Sequence, residues 1–424
     1  MKNETNRSEQ LDILLVNVGR KDEIRIPQGL LYLASALRQA GYKVKIHDEA
    51  LFKNRQQSLE KILSYKTKFV GLNVYTVPWQ LKRAEKLSVA IKNNMHSKVI
   101  WGGCHPSLYP CHCIRNKNVD IVVQGPGEKV ICEFFDAMEN NRPLNEIAGL
   151  AFKNYGRFFE TGPADLDPKY LFPRLDFNLI DLKTYLDKHD RGKGILQYIT
   201  SRGCYAKCRF CMVSRLFNRC FFRKHKEQIR QELQQQFREH HISAVHFSDD
   251  NTFRNDTEAV ELCNIISSLT EGESIPWRCA TRMDTLSTLS PGTYSRLAET
   301  GCKGFVVGIE SGSDRMLKLM KKGVTISQIE KALKMLSEFG IDMNLFSFLF
   351  GFTGETKNEA KKTLSFARRV RLMFPFSDIT LHVYFPGASD ASWLCPDMSA
   401  SQAARQSAMF SNYFANNLKT FQVG

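Results

Sequence analysis

The chain has 424 residues, twelve cysteines and a net charge of +15, with 59 Lys and Arg against 44 Asp and Glu. That length suits two or three domains with substantial cores. No apolar run is long enough to span a bilayer, and Met1-Lys2-Asn3-Glu4-Thr5-Asn6-Arg7 has no apolar signal core, which points to the cytoplasm. Cysteines there serve as reduced thiols or metal ligands rather than disulfides. The positive excess permits an anionic partner. Much of it crowds one cysteine-rich loop, as Arg202, Lys207, Arg209, Arg215, Arg219, Arg223, Lys224 and Lys226. No aromatic-interleaved basic stripe accompanies it. It therefore reads as a solvated rim that offsets a negative metal centre, not as a nucleic-acid groove.

Along residues 1–140, strand-like runs at Leu11–Val18, Lys43–His47, Phe69–Val74, Lys98–Trp101 and Val119–Val123 alternate with helical stretches at Gly29–Ala40, Leu59–Tyr65, Gln80–Asn93 and Lys129–Met138. Such β-α units predict a Rossmann-like, doubly wound parallel sheet, with ligands beyond the carboxyl ends of its strands. Residues 141–194 read as a connector with a strand pair at Gly149–Phe152 and Phe158–Thr161. A second series spans 195–387, with strands at Ile195–Thr200, Ala244–Ser248, Trp277–Thr281, Gly304–Ile309, Asn344–Phe350 and Thr380–Tyr384, and helices such as Lys226–His240 and Ile326–Phe339. Six units predict a partial (β/α)6 barrel of the TIM type. Residues 388–424 read as a short helical tail.

The strongest chemical signal is Cys204-Tyr205-Ala206-Lys207-Cys208-Arg209-Phe210-Cys211. Three thiolates can hold three irons of a cubic 4Fe-4S cluster and leave the fourth open. A structural zinc site would want a fourth protein ligand nearby, and Cys220 is nine residues on. The octet, including Phe210 before the third cysteine, resembles the signature of radical S-adenosylmethionine (SAM) enzymes. The resemblance implies that SAM chelates the open iron and is cleaved by electron transfer to a 5′-deoxyadenosyl radical. It also implies a low-potential donor of the flavodoxin or ferredoxin type.

Residues Ile26–Ala34, Gly102-Gly103-Cys104-His105-Pro106-Ser107 and Val122–Glu128 resemble the cobalamin-binding domain that precedes the barrel in one class of these enzymes. Glycine-rich loops let a backbone approach a broad ring closely. The resemblance implies cobalamin contacts from Asn17, Gln28, Gly29, Thr76, Gly102, Gly103, His105, Gly125, Gly127 and Glu128. The Asp-x-His-x-x-Gly pattern that carries a cobalt-ligating His in many cobalamin domains is missing after the first strand. It occurs at Asp187–Gly192, about 170 residues from that strand, and is expected to be a chance match. The cluster Cys104, His105, Cys111, His112 and Cys113 could hold a metal, but is expected to be a cobalamin loop followed by incidental thiols.

In the barrel, the resemblance implies SAM contacts from Phe210, Asp249, Asp250, Arg282, Glu310, Ser311 and Tyr384. Asp250 could equally cap a helix, and Asp284 is expected to do so. Thr353 stands where relatives carry a proline in Gly351-Phe352-Thr353-Gly354-Glu355-Thr356. Tyr75, His382 and Tyr384 are candidates for the meeting of the two cofactors. The implied activity is methyl transfer to an unactivated carbon or phosphorus of a small molecule, using SAM twice with cobalamin as carrier. A cobalamin-using cyclase or rearrangement enzyme, an RNA methylthiotransferase with a second cluster, and a non-enzymatic corrinoid sensor are the alternatives.

Overall fold

Leu11–Asn17 reads Leu-Asp-Ile-Leu-Leu-Val-Asn, and its centre is buried on both faces, the pattern of an inner parallel strand. The computed structural model describes residues 10–189, 193–270 and 272–384. Thus Phe385–Gly387, the tail at 388–424 and residues 190–192 of the Asp-x-His-x-x-Gly pattern lie outside the described residues. The chain divides into two compact units between Ile195 and Leu196.

The first unit runs β1 (Leu11–Asn17), α1 (Gln28–Gln39), β2 (Val44–Asp48), α2 (Arg55–Leu63), β3 (Thr67–Asn73), α3 (Pro78–Asn94), β4 (Lys98–Gly102), α4 (Cys104–Leu108), α5 (Pro110–Arg115), β5 (Ile121–Val123), α6 (Gly127–Glu139), β6 (Leu150–Asn154), β7 (Arg157–Glu160), α7 (Pro168–Leu171) and α8 (Leu182–Lys188). The sheet order is β2-β1-β3-β4-β5-β6-β7. The first five strands pair in parallel, and β6 and β7 add an antiparallel edge. The stretch read as a connector is therefore part of this sheet. Ile13 and Leu15 pack with α1 and α6, while Leu14 and Val16 pack with α2, α3 and α5. Side-chain alternation along one strand thus feeds two cores, one per face. The helices α4 and α5 were not anticipated, because five or six residues leave too short a periodicity.

The second unit runs β8 (Ile195–Tyr198), β9 (Ser201–Gly203), α9 (Val213–Leu216), β10 (Phe221–Arg223), α10 (Lys226–Glu239), β11 (Ala244–Phe247), α11 (Asp256–Leu269), β12 (Trp277–Ala280), α12 (Met283–Thr288), α13 (Pro291–Glu299), β13 (Cys302–Glu310), α14 (Asp314–Leu319), α15 (Ile326–Glu338), β14 (Leu345–Phe350), α16 (Lys357–Met373) and β15 (Asp378–Val383). Its main sheet has the order β15-β14-β13-β12-β11-β8, which is chain order, as in a (β/α) barrel left open at β8 and β15. The pairs from β11 to β15 are parallel. Thr325 with Gln328, and Thr356 with Glu359, form reciprocal capping boxes that start α15 and α16. Among the described residues, no helix is long and apolar enough to cross a membrane.

Candidate active site

The cysteine loop leaves β9 and returns through β10, whose antiparallel pairing sets Phe221 opposite Gly203 and Arg223 opposite Ser201. Gly203 has φ +78°, and a Cβ there would lie 2.3 Å from the Cys220 carbonyl oxygen, so the loop closes only on glycine. Cys204 and Cys208 are buried and Cys211 is half-buried, packed with Ala206, Phe210 and Val213. Ser214 Oγ donates to the Cys211 carbonyl at 2.9 Å. A cubic cluster takes each sulfur on a separate iron. Burial raises the Cys204 thiol and pushes Cys211 up to about 11; ligated iron deprotonates such thiols. Cys220 Sγ instead donates to the Asn218 carbonyl at 3.6 Å.

The two aspartates after β11 hold the start of this loop. Asp249 Oδ1 accepts from Thr200 N at 2.6 Å and Ser201 N at 2.7 Å, and Oδ2 accepts from Thr200 Oγ1 at 2.9 Å. Both oxygens of Asp249, expected on the SAM ammonium, are thus committed to positioning. Asp250 Oδ2 accepts from Gly203 N at 2.9 Å. Asp250 does not cap α11, whose cap is Asn255. The neighbouring Asn251 was overlooked. It is fully buried, and its side-chain oxygen and nitrogen lack hydrogen-bond partners, so a ligand here could satisfy both.

Cations converge on the loop. Arg282 Nη1 lies 3.5 Å from Cys208 Sγ, Nη2 donates to the Lys322 carbonyl at 2.6 Å, and Nε pairs with Asp284 at 2.8 Å. Burial opposes its charge, but Asp284 and Cys208 prevail and hold the guanidinium above its ordinary pKa. Arg282, expected on the SAM carboxylate, is already partnered; Asp284, expected as a helix cap, is one of its partners. Lys322 was missed because Lys321-Lys322-Gly323 reads as a surface turn. It is buried, donates to Glu310 Oε1 at 3.0 Å and sits 5.8 Å from the Phe210 ring centroid. Glu310 has φ +71°, and a Cβ at Gly308 would lie 2.0 Å from its Oε1. The strained backbone is where the β13–β14 register shifts.

Ser311 departs from expectation: fully buried, its Oγ meets Thr363 Oγ1 at 3.0 Å, tying the loop to α16. Phe210 and Tyr384 lie in one apolar cluster with Met316, Met320, Leu349 and Phe352, and Tyr384 packs 4.9 Å from Phe352. This cluster offers an apolar wall. His382 is exposed and meets Thr380 Oγ1 at 3.2 Å.

In the first unit, the carboxyl ends of β1, β3, β4 and β5 gather the predicted loops. Ser107 Oγ donates to Gly103 O at 2.7 Å and accepts from Gly125 N at 2.8 Å. Gly103 (φ +100°) leaves no room for a Cβ beside Asn73 Oδ1 at 2.8 Å. Gly29 has open space around it, Gly127 is filled by Leu33, and Gly102 stands at ordinary packing distance from Val123. Asn17 donates to Asp48 Oδ1 at 3.0 Å and accepts from Asn73 Nδ2 at 3.3 Å, so it is structural here. Gln28 Oε1 and Thr76 Oγ1 are buried without partners. Orphaned polar atoms beside glycine loops fit an amide-edged ring such as cobalamin. Glu128 is buried in the first turn of α6, and Tyr75 is exposed. The His105 ring is turned toward Tyr109 and His112, at 5.1 and 6.0 Å, on the α5 side. His189 also lies where sequence distance suggested it would not: Nδ1 meets the Ile24 carbonyl at 2.8 Å, against the β1–α1 loop.

Comparisons with known proteins concern the family and the fold. The pattern of the radical SAM superfamily matches residues 198–367, and that of the B12 binding domain matches residues 16–135. An uncharacterized methyltransferase of Pyrococcus horikoshii is 30% identical over 85% of this chain and 76% of its own length. The anaerobic magnesium-protoporphyrin IX monomethyl ester cyclase of a Synechocystis strain is 28% identical over 57% of this chain, which spans about half of that protein (48%). The structure of the radical SAM methyltransferase TsrM from Kitasatospora setae, with cobalamin and a 4Fe-4S cluster bound, superposes with a TM-score of 0.72 over 88% of this chain and 75% of that one, at 19% identity. The chain belongs to the radical SAM enzymes that carry a B12-binding domain ahead of the radical SAM domain.

Proposed function

We propose that this enzyme transfers a methyl group to an unactivated carbon or phosphorus of a small molecule. The observation that carries the reading is the match to the Pyrococcus methyltransferase, which runs through both domains. The cluster supplies the electron that cleaves SAM, and cobalamin carries the methyl group. Cys204, Cys208 and Cys211 ligate the cluster. Arg282 and Lys322 offset its negative charge, and Asp249 and Asp250 fix the loop. Asn251 hydrogen-bonds the polar end of SAM, with Phe210 and Tyr384 as the apolar wall for its adenine. Gln28, Thr76 and the backbone at Gly102, Gly103 and Gly125 hold the corrin edge. A cytoplasmic location and a flavodoxin- or ferredoxin-type donor belong to the same reading.

The Synechocystis relative favours one second reading, ring formation. A single assay separates the two. Reconstituted enzyme is incubated with SAM, reductant, cobalamin and candidate substrates. Methyl transfer yields S-adenosylhomocysteine and 5′-deoxyadenosine together; 5′-deoxyadenosine alone favours cyclisation or rearrangement.

A further inference from the structure

Outside the cysteine loop, the described residues bring one further set of ligand atoms together. His105 on α4 and His112 and Cys113 on α5 place their nitrogens and sulfur all within 4.8 Å of one another. His105 is 7% exposed, and neither ring nitrogen has a hydrogen-bond partner. Buried imidazoles usually satisfy at least one nitrogen, so this side chain is waiting for something. Cys113 is 1% exposed and packs in the core, where a lone thiol behaves as a small hydrophobe. That account leaves the convergence of two imidazoles on its sulfur unexplained.

We propose that His105, His112 and Cys113 form a site for a borderline-soft divalent cation, of which Zn²⁺ is the type. Two imidazoles and a thiolate suit such an ion, and a fourth position is left for water at the exposed His112 end. Ligands on zinc at about 2.0 Å for nitrogen and 2.3 Å for sulfur stand roughly 3.5 Å apart, so side-chain rotation of about an ångström closes the site. The sulfur–metal bond forms as Cys113 gives its proton to solvent. Cys111 points elsewhere, its Sγ donating to Glu160 Oε2 at 2.7 Å. The ion would pin α4 to α5 directly after the Gly102–Gly103 loop. The sequence places these ligands in the B12-binding domain, and the site does not depend on which reaction the enzyme runs.

The test uses the full chain with cluster and cobalamin reconstituted, equilibrated with buffered free zinc and counted by mass spectrometry. About one zinc per chain is expected beside the iron and cobalt. In His112→Ala and Cys113→Ala, zinc should fall at least about tenfold while iron and cobalt stay unchanged. The zinc X-ray absorption edge should report one sulfur and two protein nitrogens. His112 is exposed, so its variant remains informative if Cys113→Ala does not fold. Zinc absent from the wild type, or retained in His112→Ala, overturns the site. So does zinc that is lost only when Cys208 is replaced, because the ion then sits in the cysteine loop.

Discussion

At the strand ends of the first unit, the buried groups left without partners include Gln28 Oε1 and Thr76 Oγ1, both neutral. Around the cysteine loop of the second unit, the buried charges are already paired, Arg282 with Asp284 and Lys322 with Glu310, while the neutral Asn251 is not. The contrast follows from what each has to hold. A large, neutral, amide-edged ring is met by backbone and by amides that wait for it. An anionic cluster needs cations fixed beforehand, because a guanidinium or ammonium that swung in later would have to be desolvated at that moment. Neutral groups such as Gln28 and Thr76 are therefore completed by the ligand, whereas the charges beside the cysteine loop are set before theirs arrives.

The largest test of that contrast removes the ligand from the charged side. Cys208→Ala should abolish reductive SAM cleavage, read as 5′-deoxyadenosine formation. Cleavage at the wild-type rate would remove the cysteine loop from the chemistry. Next, Lys322→Met should destabilise the second unit by about 3–5 kcal/mol, because Glu310 is left charged and buried. An unchanged denaturation midpoint would mean that the pair is not needed before the cluster is present.

A third test concerns pH. Burial raises the Glu355 carboxyl from 4.5 to about 7, with Oε1 lacking a partner. The folded chain keeps a proton there that the unfolded chain gives up. The contribution is therefore intact below 4.5 and lost as pH rises through 7. Glu355→Gln should raise stability at pH 8 by up to about 3 kcal/mol and change little at pH 4. A gain of equal size at both pH values would discard the titration account. The smallest effect belongs to the neutral side: Gln28→Ala should weaken hydroxocobalamin binding about 5- to 30-fold, followed by its visible spectrum. Wild-type affinity would retire Gln28 as a corrin contact.

The cysteine loop was legible because ligand spacing is written along the chain, and so were most of the parallel strands, whose apolar runs are local. Roles that depend on who faces whom were not. Asp249 reads as a ligand carboxylate until Thr200 and Ser201 are found on it. Ser311 reads as a pocket hydroxyl until Thr363 is seen against it. Lys322 looks like a surface lysine because nothing local announces its partner, twelve residues earlier. Residues 150–160 read as a connector because an antiparallel edge is defined by its neighbour, β5, and not by its own pattern. His189 shows the same from the other side: sequence distance argued against the β1–α1 loop, yet the fold returns it to Ile24.

The close approach of Gly203 to the Cys220 carbonyl has a consequence for the energetics of cluster binding. Closing a loop of this length costs on the order of 2–3 kcal/mol in chain entropy. Here β9, gripped by Asp249 and Asp250, and its partner β10 meet that cost within the protein itself. The loop that carries the three cysteines is thus closed by the chain's own pairing, and cluster binding need not supply that ordering entropy.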